Sequence, residues 1–157
     1  MRTVVIMCQE RFAPAVEFGS KPHTIRKIRK DRPVQVGAKL SLRAWLGKPY
    51  RSKQRILREA ICTRVRPISI FYNRGTAVRK GGITEVFVQI SLGEFVARRP
   101  GGKAWPKYTT GPLTWQPATD LARADGCQGI SEMLTWFRDT HGLPFSGVLI
   151  DWGLQKV

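Results

Sequence analysis

The sequence predicts a mixed α+β fold in which a small β-barrel is flanked by two or three short helices. Short apolar runs, separated by glycine and proline turns, recur along the chain and are typical of strands. Helix signals are confined to a few short stretches. The 157 residues are enough for one domain with its own core, and no linker or internal repeat divides them. We therefore expect a single domain over residues 1–157.

The strands are predicted from apolar runs that either alternate with polar residues or are continuous and β-branched. One of these runs is expected to end at Pro67, since proline lacks the N–H group that a ladder needs. The predicted strands cover residues 3–8, 23–27, 40–44, 56–66, 84–90 and 145–152.

The helices are predicted at residues 12–18, at residues 120–124 and after Ser131, which is a good N-cap residue. In the last of these helices Trp136 and Phe137 share one face, which we assign to the core. Glycines that favour a left-handed backbone are expected to end the three helices, and they are Gly19, Gly126 and Gly142.

Residues 97–118 contain glycine, proline, lysine and aromatic residues without the periodicity of a strand or a helix. A loop of this length is unusual in a small domain, and such loops are commonly functional. We therefore expect an inserted loop at 97–118 that acts as a flap. Turns are also predicted at residues 73–75 and 81–82.

The charge of the chain is large and unevenly distributed. The net charge is +16, and residues 1–85 carry 20 Lys and Arg against 5 Asp and Glu, whereas residues 86–157 carry 7 against 6. A basic half of this kind attracts polyanions, and nucleic acid is the expected partner because neutralised phosphates release counterions. An acidic membrane surface is the weaker alternative, and a solvated basic surface without a partner is the other.

Several classes of protein are made improbable by the sequence. No apolar run approaches the length of a transmembrane helix, and the first run meets polar residues too early for a signal peptide. Cys8, Cys62 and Cys127 are far apart, as are His23 and His141, which argues against a zinc site and a disulfide framework. We expect no metal, no cofactor, no membrane partner, reduced thiols and a cytoplasmic location.

Two sets of motifs carry a resemblance to a known family. Gly19–Arg26 contains K-x-x-T-I-R and precedes the strand Lys39–Trp45, while Ala122–Cys127 contains A-x-x-D-G and is followed by Ser131–Phe137 and Pro144–Ile150. Together they resemble the ASCH domain, a member of the PUA-like superfamily of small β-barrels. The resemblance covers nearly the whole chain except residues 97–118, and the basic segment 48–53 is similar to that of ASCH proteins often carried by phages and prophages.

The resemblance implies that RNA or modified bases bind in a cleft beside the barrel, and that some members are enzymes. The acetylcytidine amidohydrolases of this family use a lysine and a threonine of the K-x-x-T-I-R segment, which are Lys21 and Thr24 in this chain. They also use a glutamate in the downstream helical segment, and its position falls near Asp125, which is a shorter acid.

A second activity implied by the resemblance is metal-independent cleavage of single-stranded RNA. Other ASCH proteins resemble ribonucleases that use a tyrosine, a lysine and a serine. Tyr50 and Lys53 correspond to the first two, and either Ser131 or Ser146 corresponds to the third.

The residues themselves allow two interpretations of the Lys21 segment. Thr24 becomes a nucleophile only when a base takes its proton, and Lys21 serves as that base if burial and cationic neighbours make its own proton labile. Asp125 would then orient the lysine or pass a proton to the leaving group. In the alternative, Lys21 binds phosphate, Thr24 bonds to the backbone and Asp125 caps a turn.

Cations and aromatic rings outside this segment are expected to hold a nucleic acid. Arginine grips phosphate with two donors and lysine acts as a point charge, while aromatic rings stack on exposed bases. The alternatives are a solvated basic surface and rings packed on the barrel. The predicted nucleic-acid-binding residues are Arg26, Lys27, Arg29, Lys30, Arg32, Lys48, Arg51, Lys103, Trp105, Lys107 and Tyr108. Further stacking candidates are Tyr50, Trp115 and Trp45, of which Trp45 is assigned to the core in preference.

Three functions therefore remain open at this stage. The first is an RNA-binding protein, with RNA ahead of DNA, that also cleaves a single strand if the ribonuclease residues converge. The second is an amidohydrolase acting on an acetylated or otherwise modified nucleoside. The third is a phage-encoded protein that occupies a nucleic-acid site of the host without catalysis.

Overall fold

The computed structural model of the chain describes residues 3–73, 87–97, 99–110, 113 and 115–153. Eight strands and three α-helices lie within these ranges. The helices are α1 (Ala13–Glu17), which follows a 3-10 turn at Glu10–Phe12, α2 (Trp115–Ala124) and α3 (Ile130–His141). The strands are β1 (Thr3–Met7), β2 (His23–Arg26), β3 (Lys39–Trp45), β4 (Gln54–Ile61), β5 (Arg64–Asn73), β6 (Phe87–Ala97), β7 (Ala104–Tyr108) and β8 (Phe145–Asp151).

The strands form two sheets. The smaller sheet has the order β1-β3-β4, in which β1 runs parallel to β3 and β3 antiparallel to β4. The larger sheet has the order β2-β8-β5-β6-β7 and is antiparallel throughout. The α+β class predicted from the sequence is thereby confirmed.

Strand β8 joins the two layers because both of its faces are buried. Successive side chains of a strand point to opposite faces. Leu149 therefore packs in a core with α2 and α3, around Met133 and Phe137. Val148 and Ile150 pack in a second core against the smaller sheet. This second core holds one sheet on the other, and the site described below lies beside it.

The predicted closure of the strands into a barrel is wrong for the described residues. No strand of the smaller sheet pairs with a strand of the larger one, and apolar side chains join them instead. The apolar pattern predicted which strand faces are buried, but that pattern is equally satisfied by a closed barrel and by two packed sheets.

The strand predicted over residues 56–66 is in fact the end of β4 and the start of β5, which are separated at Cys62 and Thr63. Pro67 lies inside β5, opposite Val148, and does not end the strand. The ladder between β5 and β6 begins at Ile68. Pro67 therefore lies where β5 has one neighbouring strand, a position that tolerates the missing N–H group.

Residues 97–118 are more regular than predicted. They contain β7, which pairs with β6 so that Trp105 lies opposite Val96, and they contain the first residues of α2. All five residues of β7 are exposed, so the segment lacks the alternation that reveals a half-buried strand in a sequence. That this segment is an insertion stays a prediction.

Two smaller expectations also differ from the structure. Helix α3 has Gly129 at its N-cap, two residues before the predicted Ser131. Its first turn is secured by Glu132, which accepts a hydrogen bond from the backbone N–H of Gln128 at 2.6 Å. The predicted turn at 81–82, most of the turn at 73–75 and the beginning of the strand at 84–90 lie outside the described residues.

The three cysteines, Cys8, Cys62 and Cys127, are free thiols and all are buried. Each helix in the part of the chain that the structure describes is too short or too polar to cross a membrane.

Candidate functional site

A cleft of about 1100 Å³ is lined by residues of both sheets. Its walls are largely apolar, because the cleft borders the second core. The larger sheet also supplies polar groups, and a cationic segment that follows β2 runs along it. The apolar residues that line it include Val4, Ile6, Val34, Val65, Val148 and Ile150.

The polar part of the cleft is built around an ion pair between Lys21 and Asp125. The Lys21 ammonium donates to Asp125 Oδ1 at 2.5 Å and also to the Asp125 backbone carbonyl. Lys21 is 3% exposed and Asp125 is 6% exposed, so the two charges are shielded from water. The shorter acid at this position therefore reaches the lysine directly.

The chain on either side of this pair fixes both groups. The Lys21 backbone N–H donates to the Ala15 carbonyl, which ties the segment to α1. Asp125 directly follows α2 and donates its N–H to Leu121, and Gly126 then takes a φ of 98°, which favours glycine. The A-x-x-D-G motif thus corresponds to a helix end that turns an acid inward.

Thr24 lines the same cleft as Lys21 and Asp125. It lies on β2 opposite Ile150, and its residue is 6% exposed. The neighbouring His23 is not among the residues that line the cleft. The three residues that the sequence predicted for an amidohydrolase therefore line one cleft, and two of them, Lys21 and Asp125, are in direct contact.

His23 lies between a buried acid, Asp125, and a half-buried one, Asp151. Its Nε2 is 3.7 Å from Asp125 Oδ1 and its Nδ1 is 3.9 Å from Asp151 Oδ1, while Arg66 donates to Asp151 Oδ2 at 3.1 Å. Burial, reinforced by the positive charges of Lys21 and Arg66, lowers the pKa of His23 to about 3. The imidazole is therefore neutral at physiological pH.

Burial also acts on the acid of the ion pair. It raises the pKa of Asp125, and the neighbouring Lys21 opposes this effect. The Phe12 ring centroid is 4.8 Å from Lys21 Nζ, a cation–π distance. The ammonium thus contacts both a carboxylate and an aromatic ring.

Arg26 connects the two sheets at the edge of the cleft. Its guanidinium donates to the Met7 backbone carbonyl, so the end of β2 is tied to the end of β1. From this point the cationic segment continues along the cleft. The predicted phosphate-binding residues that line the cleft are Arg26, Lys27, Arg29, Lys30 and Lys103.

One predicted stacking ring also reaches the cleft. Trp105 of β7 lines it and is 52% exposed, and Lys103 Nζ lies 5.0 Å from the centroid of its ring. Arg32 belongs to the segment that follows β2, but it does not line the cleft. Lys107 and Tyr108 are exposed on β7 and likewise do not line it. The Trp115 side chain lies outside what the structure describes.

The residues predicted for a ribonuclease are not brought together at the cleft. Tyr50 and Lys53 are exposed on the loop between β3 and β4, as are Lys48 and Arg51, and none of them lines the cleft. The two candidate serines are also exposed and lie elsewhere, Ser131 on α3 and Ser146 on β8.

Some residues of the site were not predicted. From the sequence, Trp136 was assigned to the core and His141 was interpreted as structural, yet both line the cleft from the C-terminal half of α3. Their ring centroids are 5.4 Å apart. Asp151 was also missed, although an acid directly after the apolar run of β8 was a visible signal of a buried polar contact.

In the described part of the chain, no group of three or more His, Cys, Asp or Glu residues is placed to hold a metal ion. Comparison of the chain with protein-family models, with curated proteins and with solved structures found no match.

Proposed function

We propose that this protein binds single-stranded nucleic acid, with RNA ahead of DNA, and that an unstacked base enters the cleft. The observation that carries the proposal is the cleft itself, because cations from two separate segments, Lys27–Lys30 and Lys103, line a single cavity. Membership of the ASCH family is part of the same proposal, and the small sheet-rich α+β fold supports it.

The size and lining of the cleft suit a base with its attached phosphates. A volume of about 1100 Å³ is slightly larger than that of most pockets that hold a single small organic ligand, which leaves room for attached phosphates. The apolar walls offer surface for an unstacked base, Trp105 offers an exposed ring for stacking, and Lys30 and Arg29 offer charge for phosphate. A duplex fits a concave site of this kind less well than a single strand.

The first experiment mixes the protein with single-stranded RNA and DNA oligonucleotides over a range of salt concentrations. It measures how tightly the protein binds each oligonucleotide and, from the fragment size, whether the oligonucleotide is cleaved. If four cleft cations each neutralise a phosphate, log affinity falls against log salt with a slope of about −3. The double variant Lys27→Gln/Lys30→Gln is expected to weaken binding and to reduce this slope by about 1.5.

The matched control for this test is Lys39→Gln/Arg138→Gln, which removes the same charge from two ion-paired side chains that are 41% and 54% exposed and lie outside the cleft. It is expected to change the affinity little. Equal losses in the two double variants, or an affinity that does not respond to salt, would show that the cleft is not the binding site.

A second candidate function is hydrolysis of an amide on a modified nucleoside, and the convergence of Lys21, Thr24 and Asp125 favours it. In this reaction the Thr24 hydroxyl attacks the acyl carbon and its proton passes to the hydrogen-bonded pair of Lys21 and Asp125. The proton is delivered to the leaving amine as the C–N bond breaks. Water then hydrolyses the threonine ester and releases the carboxylic acid.

This candidate is tested by measuring acetate release from N4-acetylcytidine. Thr24→Val preserves the shape of the side chain and removes its hydroxyl, and it is expected to reduce the rate at least about 100-fold. Thr24→Ser retains a hydroxyl and serves as the control that keeps activity. Equal rates for Thr24→Val and the unmodified protein would exclude Thr24 as the nucleophile.

A ribonuclease is supported less well, because its four candidate residues lie outside the cleft. The fragment sizes measured in the first experiment test it directly. If the protein binds oligonucleotides without cleaving them and releases no acetate from N4-acetylcytidine, both catalytic candidates are excluded. The remaining function is then the third one, a phage-encoded protein that binds nucleic acid without catalysis.

A further inference from the structure

The loop between β3 and β4, residues 46–53, forms a second basic surface that the cleft does not include. We call it the Tyr50 loop. Its Lys48, Arg51 and Lys53 are exposed, and none of them forms an ion pair with another described residue. The loop contains no acidic residue. Its net charge therefore comes entirely from these cations.

The Tyr50 loop is held in one shape by its own hydrogen bonds. The Leu46 N–H donates to the Lys53 carbonyl at 2.9 Å and closes the loop. The Ser52 hydroxyl accepts from the Gly47 N–H at 3.0 Å and donates to the Lys48 carbonyl at 2.9 Å. A loop that is ordered before binding loses less conformational entropy when it meets a ligand.

Tyr50 projects from this loop in an unusual way. It is 90% exposed, and its φ of 62° lies in the left-handed region that a tyrosine seldom adopts. Its ring centroid is 5.3 Å from that of Trp45, at the end of β3, so a half-buried indole supports the exposed ring from one side. The other side of the ring is accessible to a planar ligand.

We propose that the Tyr50 loop is a second binding surface for single-stranded nucleic acid, with a base stacked on Tyr50 and phosphates on Lys48, Arg51 and Lys53. An exposed ring among cations is the arrangement that binds a strand without reading its sequence. This inference rests on the proposed function, because the same strand would occupy the cleft and the loop. Tyr50 is then a stacking residue and not the catalytic tyrosine of a ribonuclease.

The proposal has a consequence for the length of the ligand. A short oligonucleotide that occupies only the cleft gains nothing from the loop, whereas a longer one that contacts both gains affinity through effective concentration. Oligouridylates of about 4 and about 16 nucleotides are suitable probes, since they bracket the lengths that single-strand-binding surfaces cover.

The experiment measures the affinity of both oligouridylates for three proteins: the unmodified chain, Tyr50→Asn and Tyr50→Phe. Asparagine tolerates the left-handed backbone and removes the ring. We expect Tyr50→Asn to weaken the long oligonucleotide at least about fivefold and to leave the short one unchanged. Tyr50→Phe keeps the ring, and we expect it to bind both lengths like the unmodified chain.

Each contrary result has a separate meaning. If Tyr50→Asn binds the long oligonucleotide as well as the unmodified chain does, the second surface is overturned and the cleft proposal stays intact. If Tyr50→Phe loses as much affinity as Tyr50→Asn, the effect belongs to the hydroxyl and not to stacking, and the second surface is again overturned while the cleft proposal stays intact. Failure of the unmodified chain to bind either length overturns both proposals. Should Tyr50→Asn not fold, Arg51→Gln/Lys53→Gln takes its place, with the same length-dependent loss expected.

Discussion

The buried charges around Lys21 stabilise the fold only as a set. A charge removed from water is costly unless a partner and hydrogen bonds compensate it. Asp125 provides that compensation for Lys21, and Arg66 provides it for Asp151. His23 lies between the two acids, and its Nε2 has no hydrogen-bond partner in the described structure. The neutral imidazole separates two ion pairs without adding a charge to them.

The state of His23 predicts a dependence of stability on pH. Because the pKa of His23 is lowered to about 3 in the folded chain, the unfolded chain binds the additional proton below the ordinary value of 6.5. Stability contributed by the neutral imidazole is therefore lost as pH falls from about 6.5 towards 3. The glutamine of His23→Gln cannot bind this proton. On acidification, the unfolding free energy of the unmodified chain is therefore expected to fall relative to that of His23→Gln.

This difference is measured by urea denaturation of both proteins at pH 7 and at several lower values. The comparison cancels the contribution of His141, which is present in both chains, whereas Asp125 and Asp151 lie 3.7 and 3.9 Å from the imidazole and are coupled to it. A difference that stays constant with pH would mean that His23 is protonated at its ordinary pKa. An NMR titration of the imidazole gives an independent measurement of the same quantity.

The β6–β7 hairpin is the element that brings Lys103 and Trp105 to the cleft. Its two strands approach closely at Gly93, which lies opposite Tyr108. A Cβ atom placed on Gly93 would lie 2.0 Å from the Lys107 carbonyl oxygen. Since that obstacle is backbone, the strands would have to separate for any larger residue to fit.

Gly93→Ala is therefore expected to destabilise the hairpin by about 1–3 kcal/mol and to weaken oligonucleotide binding through displacement of Trp105. Urea denaturation and amide exchange of β7 measure the first effect. Gly47→Ala is a suitable control for stability, because the nearest side-chain atom would be 3.5 Å from the added Cβ. Comparable stability of the two variants would show that β7 does not depend on this contact.

Only some of the cations in the basic N-terminal half of the molecule line the cleft. The segment that follows β2 lines it, while the cations of the Tyr50 loop lie on a different surface. When the ligand is long enough to reach both surfaces, the dependence of its affinity on salt concentration therefore includes phosphates bound at the Tyr50 loop as well as at the cleft. From the sequence these cations were predicted as one set of nucleic-acid-binding residues, whereas in the structure Lys27, Arg29 and Lys30, which follow β2, line the cleft and the cations of the Tyr50 loop do not.

The candidate site was predictable where one short motif supplied several residues. Lys21, Thr24 and Arg26 lie within one segment, so the sequence alone placed them near one another. Asp125 follows Lys21 by 104 residues, and the prediction that they meet came from the resemblance and not from spacing. Tyr50 and Lys53 were predicted for a separate activity, that of a ribonuclease, and the structure leaves both exposed on the loop between β3 and β4.

The sequence by itself determined the α+β class, the basic half of the chain and most strand positions, because these follow from local periodicity and composition. Tertiary structure alone decided that the strands form two packed sheets, that β7 is a strand, and that Trp136, His141 and Asp151 adjoin the site. These features depend on which strands pair and which faces meet, and such contacts between residues distant in sequence leave no periodic signal in it.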